Sequence, residues 1–302
     1  MSFSNLPKFV QNYVLSFLDL KSHANFSLTN KKYYNSFLHV RQLFAILLHK
    51  YFPLKIDQSI FEIIRQSKTQ PNTILHTISE DPKISIRLIE FLIENKADLN
   101  CKNFFECTPF HLACRNRNVS LEIIKYMVEN KSDLNLKNFK EDTPFHVACR
   151  NRNISLEILK YMVENKADLN LNDFFISTPL HLLSENENIS IEIIKYLVER
   201  KSDFNSQDQN KNTPLVLACY NSNISIEIIK YMVENKSDVK AINKNDSSAL
   251  HFACGNNNIS FEIIQYLVEN KSDINLKNKD NFTPIDFSMN NQSLYQKLKD
   301  FL

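Results

Sequence analysis

Glycine is almost absent from this chain of 302 residues, which contains a single one, Gly255. Average usage would give roughly twenty in a protein of this length. The G-x-G-x-x-G and G-x-x-x-x-G-K-[ST] phosphate-binding loops and the G-x-S-x-G nucleophile elbow each need at least two glycines, so the composition excludes all three. The sequence also lacks paired carboxylates, a Cys/His arrangement and a hydroxyl nucleophile with an identifiable base. We therefore predict a protein that is not an enzyme, with no catalytic residue and no cofactor.

Long hydrophobic runs are also lacking. The apolar run at residues 43–48 is far shorter than the roughly 20 residues that cross a bilayer. The N-terminus has no basic region followed by an apolar one, so no secretion signal is expected. Six cysteines in such a chain favour free thiols in a reducing compartment. We expect the cytosol of a eukaryotic or host cell and no membrane partner.

Charge is unevenly distributed along the chain. Residues 1–72 carry nine Lys and Arg against three Asp and Glu, and the remainder carries 27 against 31. The basic cluster Lys31-Lys32 with Tyr33-Tyr34 is short, and the body is mildly acidic. A nucleic-acid partner is therefore not expected.

An internal repeat of 35 residues dominates the sequence. Its marker is a Thr or Ser, usually followed by Pro, an apolar residue and His, at Thr73, Thr108, Thr143, Thr178, Thr213, Ser248 and Thr283. Each unit also contains an amphipathic stretch such as residues 121–129, with apolar residues at helical spacing. Serines precede these stretches as predicted N-caps: Ser120, Ser155, Ser190, Ser225 and Ser260. The predicted unit is helix, turn, helix, loop.

These units resemble the ankyrin repeat, in which Thr-Pro-Leu-His-x-Ala opens the inner helix. The resemblance covers about residues 73–302 and implies a stacked helical solenoid. Two features depart from the family: a period of 35 where 33 is usual, which we place in the loop between helices, and missing glycines. Lysines such as Lys131 stand where a left-handed glycine ends the outer helix, and we expect the preceding asparagine, such as Asn130, to take that turn instead.

The repeated histidines and cysteines have structural interpretations. Five histidines lie 35 or 70 residues apart: His76, His111, His146, His181 and His251. Their rings would stand about 10 Å apart on packed helices, too far to share one metal ion. The resemblance implies that they brace turns. Cys114, Cys149, Cys219 and Cys254 occupy one repeated slot, where free cysteine acts as a small hydrophobe.

The four residues before each Thr-Pro vary most between units, and in ankyrin proteins they form a projecting finger. Three consecutive fingers carry phenylalanines, which we call the aromatic ridge: Phe104, Phe105, Phe139, Phe174 and Phe175. Five exposed rings would exceed the apolar patch that monomers usually tolerate, so the ridge is a candidate partner-binding surface. The alternative is that the rings fold back onto neighbouring fingers and seal the array.

The ends of the inner helices supply a second candidate surface on the concave face. Its residues change from basic to acidic along the array: Arg115, Arg117, Arg150, Arg152, Glu185 and Tyr220. Such a gradient could orient a charged partner, although solvated charged faces are common.

Residues 1–72 fall outside the repeat. Pro7 stands where a helix would begin, and Ser22 and Thr29 can cap two further short helices, which predicts a compact three-helix unit. In order, the segment then contains Leu6-Pro7, the stretch from Val14 to Leu20 and the stretch from Phe26 to Tyr34. This segment resembles an F-box, although Lys8 stands where the family usually has an acidic residue. The resemblance implies docking on the small adaptor subunit of cullin-RING ubiquitin ligases. The positions that match the family's contact motif are Leu6, Pro7, Val14, Leu15 and Leu18. Alternatively, these helices only cap the open end of the array.

The sequence thus predicts an all-α protein in three parts. An F-box-like head spans residues 1–45, a helical linker or cap spans 46–72, and about seven ankyrin units span 73–302, the last one truncated. The predicted function is that of a substrate adaptor, in which the head docks on a ligase and the array recruits an unknown protein target. The alternative is a plain ankyrin scaffold or inhibitor whose head is a cap.

Overall fold

The computed structural model describes residues 74–84, 86–94 and 96–301. The F-box-like head, the linker and the candidate docking residues of the head lie outside these ranges. Within them the chain is helical without strands, and its one isolated bridge joins Ile242 to Ser248. The predicted all-α architecture is confirmed.

Short inner helices alternate with longer outer helices along the described chain. The inner helices are α1 (Ile74–Glu80), α3 (Pro109–Arg115), α5 (Pro144–Arg150), α7 (Pro179–Glu185), α9 (Pro214–Tyr220), α11 (Ala249–Gly255) and α13 (Pro284–Phe287). The outer helices are α2 (Ile86–Glu94), α4 (Leu121–Glu129), α6 (Leu156–Glu164), α8 (Ile191–Glu199), α10 (Ile226–Glu234) and α12 (Phe261–Glu269). A final helix, α14 (Gln292–Phe301), closes the array, and Phe301 packs edge-to-face on Phe261 of α12.

Local signals set the helix boundaries. Thr108 is the N-cap of α3 in extended conformation, and proline at N1 supplies a residue whose missing N–H costs nothing there. Ser120 caps α4, and its hydroxyl accepts a hydrogen bond from the Ile123 N–H. Asn116 follows α3 in extended conformation, which ends the inner helix and turns the chain towards the outer one. All five predicted serines stand at the N-cap position, but only Ser120, Ser155 and Ser225 accept the capping hydrogen bond, and Ser190 and Ser260 do not.

Each unit stacks on the next, inner helix on inner helix and outer on outer, around one continuous apolar core. An asparagine after each inner helix ties the stack together. The side-chain amide of Asn151 donates to the carbonyls of Cys114 (2.9 Å) and Asn116 (3.1 Å) in the preceding unit. The same position is occupied by Asn116, Asn186, Asn221 and Asn256. These bonds satisfy buried carbonyls and fix the spacing between units.

The C-termini of the outer helices differ from the sequence-based expectation. The left-handed residue is the lysine itself, with φ of 73° at Lys131, whereas Asn130 has φ of −91°. The amide of Asn130 donates to the Tyr126 carbonyl (2.8 Å) and holds that residue on the helix. The N–H groups of Lys131 and Ser132 then bond back to Val128 and Met127 in a Schellman pattern. The prediction of a left-handed asparagine is therefore wrong.

Candidate functional site

The fingers are hydrogen-bonded loops built on an asparagine or aspartate that precedes the four finger residues. In finger 174–177, Oδ1 of Asp173 accepts hydrogen bonds from the N–H groups of Phe175 (2.9 Å) and Ser177 (2.8 Å). The residue between them, Ile176, is left-handed with φ of 61°. The other fingers repeat this arrangement on Asn103, Asn138, Asp208, Asn243 and Asn278. Sequence reasoning missed these residues, although their 35-residue period was available as a signal.

The repeated histidines of α1, α3, α5, α7 and α11 each connect their inner helix to the loop that precedes the next one. Nδ1 of His111 accepts from the Thr108 N–H (3.0 Å), and Nε2 lies 3.0 Å from the Asp142 carbonyl. This pattern assigns the neutral tautomer with the proton on Nε2. Burial lowers the pKa of His111 to about 4, which agrees with a neutral ring. The interpretation of the histidines as turn braces is confirmed by the geometry.

The aromatic ridge is exposed. Phe104, at 78%, and Phe139, at 74%, are the most exposed of its five rings, and Phe175, at 53%, is the least. Within two fingers the rings pair edge-to-face, Phe104 with Phe105 and Phe174 with Phe175, each at 5.5 Å between centroids. The rings touch each other but remain in contact with solvent. They do not fold back to seal the array.

Backbone hydrogen bonds join successive fingers and align the ridge. The N–H of Phe139 donates to the Phe105 carbonyl (3.0 Å), and the N–H of Phe174 donates to the Lys140 carbonyl (3.0 Å). Equivalent bonds continue through the polar fingers, as from Lys244 to Asn210 (2.8 Å). The ridge is thus presented on a continuous strip whose backbone is the same along the array.

The concave arginines are largely engaged in ion pairs. Arg150 forks between the buried carboxylates of Asp142 and Asp173, each at 2.5 Å. Because these aspartates belong to two successive fingers, Arg150 fixes the fingers to the inner helix α5. The positive charge of Arg150 is therefore neutralised by carboxylates of the same protein.

Ion pairs at Arg115 and Arg152 reduce the expected charge gradient of this face further. Arg115 pairs with Glu80, and Arg152 pairs with Glu187 at 2.7 Å, whereas Arg117 has no ion-pair partner among the described residues. The gradient from basic to acidic is therefore smaller than residue counts predict, because most of these cations are neutralised by a neighbouring unit.

The other end of that face carries the acidic Glu185 and the aromatic Tyr220. Desolvation raises the pKa of Glu185, while Arg150 acts to lower it. Tyr220 is exposed and packs edge-to-face on Phe252 at 6.2 Å.

The cysteines and acidic residues form no metal centre in the described ranges, where no cluster of three ligands is found. Cys114, Cys149, Cys219 and Cys254 are free and buried, and burial raises the pKa of their thiols, so they stay protonated. They pack as small apolar residues, as predicted. In the same part of the chain, no helix has the length and apolar character needed to span a bilayer.

Comparison with known proteins agrees with this geometry. The family model for ankyrin repeats (3 copies) matches residues 65–173 and 180–278. The F-box domain model matches residues 3–44. The crystal structure of the human ASB11 ankyrin repeat domain superposes with a TM-score of 0.65 at 18% identity, covering 76% of this chain and 97% of that one. No curated protein matches the chain.

Both matched families are typically non-enzymatic and mediate contacts between proteins. The ankyrin matches cover more than half of the chain. The helix pairs, the braced turns and the projecting fingers are the structural features expected of that family. This chain belongs to the ankyrin repeat family, and its N-terminal residues match the F-box domain.

Proposed function

We propose that this chain is a substrate adaptor of a cullin-RING ubiquitin ligase. Its F-box segment docks on the ligase's small adaptor subunit, and its ankyrin array holds a protein target in the same cytosolic compartment. The observation that carries this proposal is the presence of both modules in one chain, with the F-box match at residues 3–44 and the ankyrin matches following it. Other subunits transfer ubiquitin, so this chain needs no catalytic residue.

The two modules have separate tasks in this proposal. The F-box resemblance implies that Leu6, Pro7, Val14, Leu15 and Leu18 contact the ligase subunit. The aromatic ridge contacts the target, and its support is the exposure of five phenylalanines on a hydrogen-bonded strip of fingers. Exposed apolar area of this size on a protein surface commonly marks an interaction site.

A pull-down of the ligase adaptor subunit tests the first task. We expect the wild-type chain to recover the subunit and the Leu6→Ala/Pro7→Ala variant to lose it, because both side chains belong to the docking motif. The matched control is Phe174→Ala/Phe175→Ala, which alters a distant finger and should recover the subunit normally. Equal recovery by wild type and the Leu6→Ala/Pro7→Ala variant would refute the docking role.

A plain scaffold or inhibitor is the second candidate function. It is favoured by the general requirement that a repeat array has a capping segment with a polar outer face at each end. Deleting residues 1–45 separates the two. A docking module should leave thermal unfolding of the array unchanged, whereas a cap should lower its unfolding temperature by several degrees.

A further inference from the structure

A groove of about 740 Å³ lies between the aromatic fingers and the inner helices α3 and α5. Phe105, Lys140 and Phe175 line it from the finger side. The opposite side is lined by four arginines at the ends of these helices: Arg115, Arg117, Arg150 and Arg152. Three carboxylates, those of Glu80, Asp142 and Asp173, also line it. The groove therefore combines aromatic surface with charges of both signs.

Ion pairing decides which of these charges can meet a partner. Arg115, Arg150 and Arg152 are each paired with a carboxylate. In the part of the chain that the structure describes, Arg117 and Lys140 line the groove without an ion-pair partner, and both are exposed. Arg150 faces two carboxylates, Asp142 and Asp173, so that group keeps one negative charge. Arg117 and Lys140 outweigh it, which leaves the groove with a small net positive charge.

Phe105, Lys140 and Phe175 hold the same position in three successive fingers. The backbone bonds from Phe139 to Phe105 and from Phe174 to Lys140 hold these fingers in register. Packed helices, and hence the fingers that precede them, stand about 8–10 Å apart. The groove therefore presents a cation between two aromatic rings in a line.

A second observation points to a ligand at the same fingers. Ile176 follows Phe175, has φ of 61° and is 48% exposed. A β-branched residue in this conformation is an outlier, and such strain concentrates at ligand-binding sites. The equivalent residues of the other fingers are polar: Glu106, Glu141, Lys211, Asp246 and Asn281. Ile176 does not line the groove, but it adds exposed apolar surface to the finger that carries Phe175, at a position where the backbone disfavours a β-branched residue.

We infer that the groove binds a partner segment that presents a carboxylate between two bulky apolar side chains. The carboxylate meets Lys140 and Arg117, and the apolar side chains meet the fingers of Phe105 and of Phe175 with Ile176. This inference rests on the proposed role of the array in target capture and specifies the chemistry of the captured segment.

The test selects ligands from a phage-displayed library of random 12-residue peptides on the immobilised full chain. We expect enriched peptides to carry Asp or Glu flanked by Phe, Leu, Ile, Met, Trp or Tyr. In fluorescence polarisation, Lys140→Glu should weaken binding of these peptides about tenfold, since it replaces an attraction with a repulsion. Replacing the peptide carboxylate by lysine should restore binding to the Lys140→Glu variant.

The matched control is Lys244→Glu, which reverses an exposed lysine in a polar finger and should change affinity less than twofold. The inference is overturned if no acidic-apolar peptide is enriched, if enriched peptides are basic, or if Lys140→Glu and Lys244→Glu behave alike. These outcomes leave the ligase pull-down untouched. Conversely, the full chain could bind acidic-apolar peptides and still fail to recover the ligase adaptor subunit in the pull-down. That result would refute the ligase role and leave the groove inference standing.

Discussion

The fingers before α3, α5 and α7 and those before α9, α11 and α13 share one backbone but carry different chemistry. All six place a left-handed residue at the same point, from Glu106 to Asn281. The first three carry five exposed phenylalanines, whereas the later three carry mainly Gln, Asn, Lys and Asp, with a single exposed phenylalanine, Phe282, in the last finger. The comparison shows that each finger is held by the Asn or Asp that precedes it and by backbone bonds to the adjacent finger. The side chains at the tips are therefore free to vary.

The bracing of the two halves also differs. The helices α3, α5 and α7 each begin with a histidine-braced turn. In the later half, α11 has the same brace at His251 and α13 uses Asp286, whereas α9 has Val216 at that position. Without a ring to contact, the buried hydroxyl of Thr213 has no hydrogen-bond partner. In addition, the carboxylate fork of Arg150 has no counterpart at the later positions Tyr220 and Gly255. The half that carries the ridge is therefore the more strongly braced.

Acidification should remove the extra stability that the histidine braces give to the first half. It is expected to change the free energy of unfolding more than any other test described below. Burial lowers the pKa of His111 to about 4, so the unfolded state binds more protons than the folded state below pH 6.5. Stability therefore falls as the pH drops from about 6.5 to 4, and His111 alone accounts for about 3 kcal/mol. Urea unfolding at pH 7 and pH 4 measures the loss.

The control for acidification replaces a bracing histidine by valine, the residue that the unit beginning at Thr213 has at this position. His111→Val reproduces the natural Val216 and should lower stability at pH 7 while reducing the loss between pH 7 and pH 4. The pKa values of His146, His181 and His251 are also lowered by burial, so part of the acid sensitivity should persist. An unchanged pH dependence in the variant would contradict a neutral, buried His111.

Removing the fork of Arg150 should have the next largest effect. Arg150→Leu leaves Asp142 and Asp173 buried without their cation. Because Arg150 is itself 40% exposed, water partly replaces it, and we expect a cost of about 2 kcal/mol of unfolding free energy. Arg117→Leu is the matched control and should change stability by less than about 0.5 kcal/mol, because Arg117 is exposed and unpaired in the described region. Equal losses in urea unfolding would show that Arg150 does not brace the fingers.

Adding the missing brace should make the second half more like the first. Val216→His places a ring beside Thr213, within reach of the next finger as in the other units. The expected gain is about 1 kcal/mol at pH 7, because a buried hydroxyl acquires a partner. The gain should disappear near pH 4. Urea unfolding with hydrogen exchange across α9 measures it, and a loss of stability at pH 7 would contradict the explanation.

Relieving strain in the aromatic half gives the smallest effect. Ile176→Gly should raise stability by about 0.5 kcal/mol, since glycine adopts positive φ freely but loses more entropy on folding. Asn281→Gly should change little, because asparagine tolerates this conformation. Thermal unfolding checks the stability. A gain in stability with weaker peptide binding would link the strain to the groove.

Sequence reasoning predicted most of the fold because the repeat makes local signals redundant. Thr108-Pro109 and Ser120 mark helix starts through their own capping chemistry, and the histidines repeat at the positions that brace turns. It failed at Asn130, where the expected left-handed preference of asparagine was outweighed by that residue's own bond to the helix. It did not single out Lys140 and Ile176, because the roles that we propose for them depend on neighbours in other units.

The sequence by itself determined the 35-residue unit, its two helices, their caps and the phenylalanine tips. Each of these follows from residues that act within a few positions of one another. Only the tertiary structure decided which charges remain available, because the ion pairs of Arg115, Arg150 and Arg152 join residues that meet across units. Stacking brings those partners within contact distance. In the described part of the chain it leaves Arg117 and Lys140 lining the groove without an ion-pair partner.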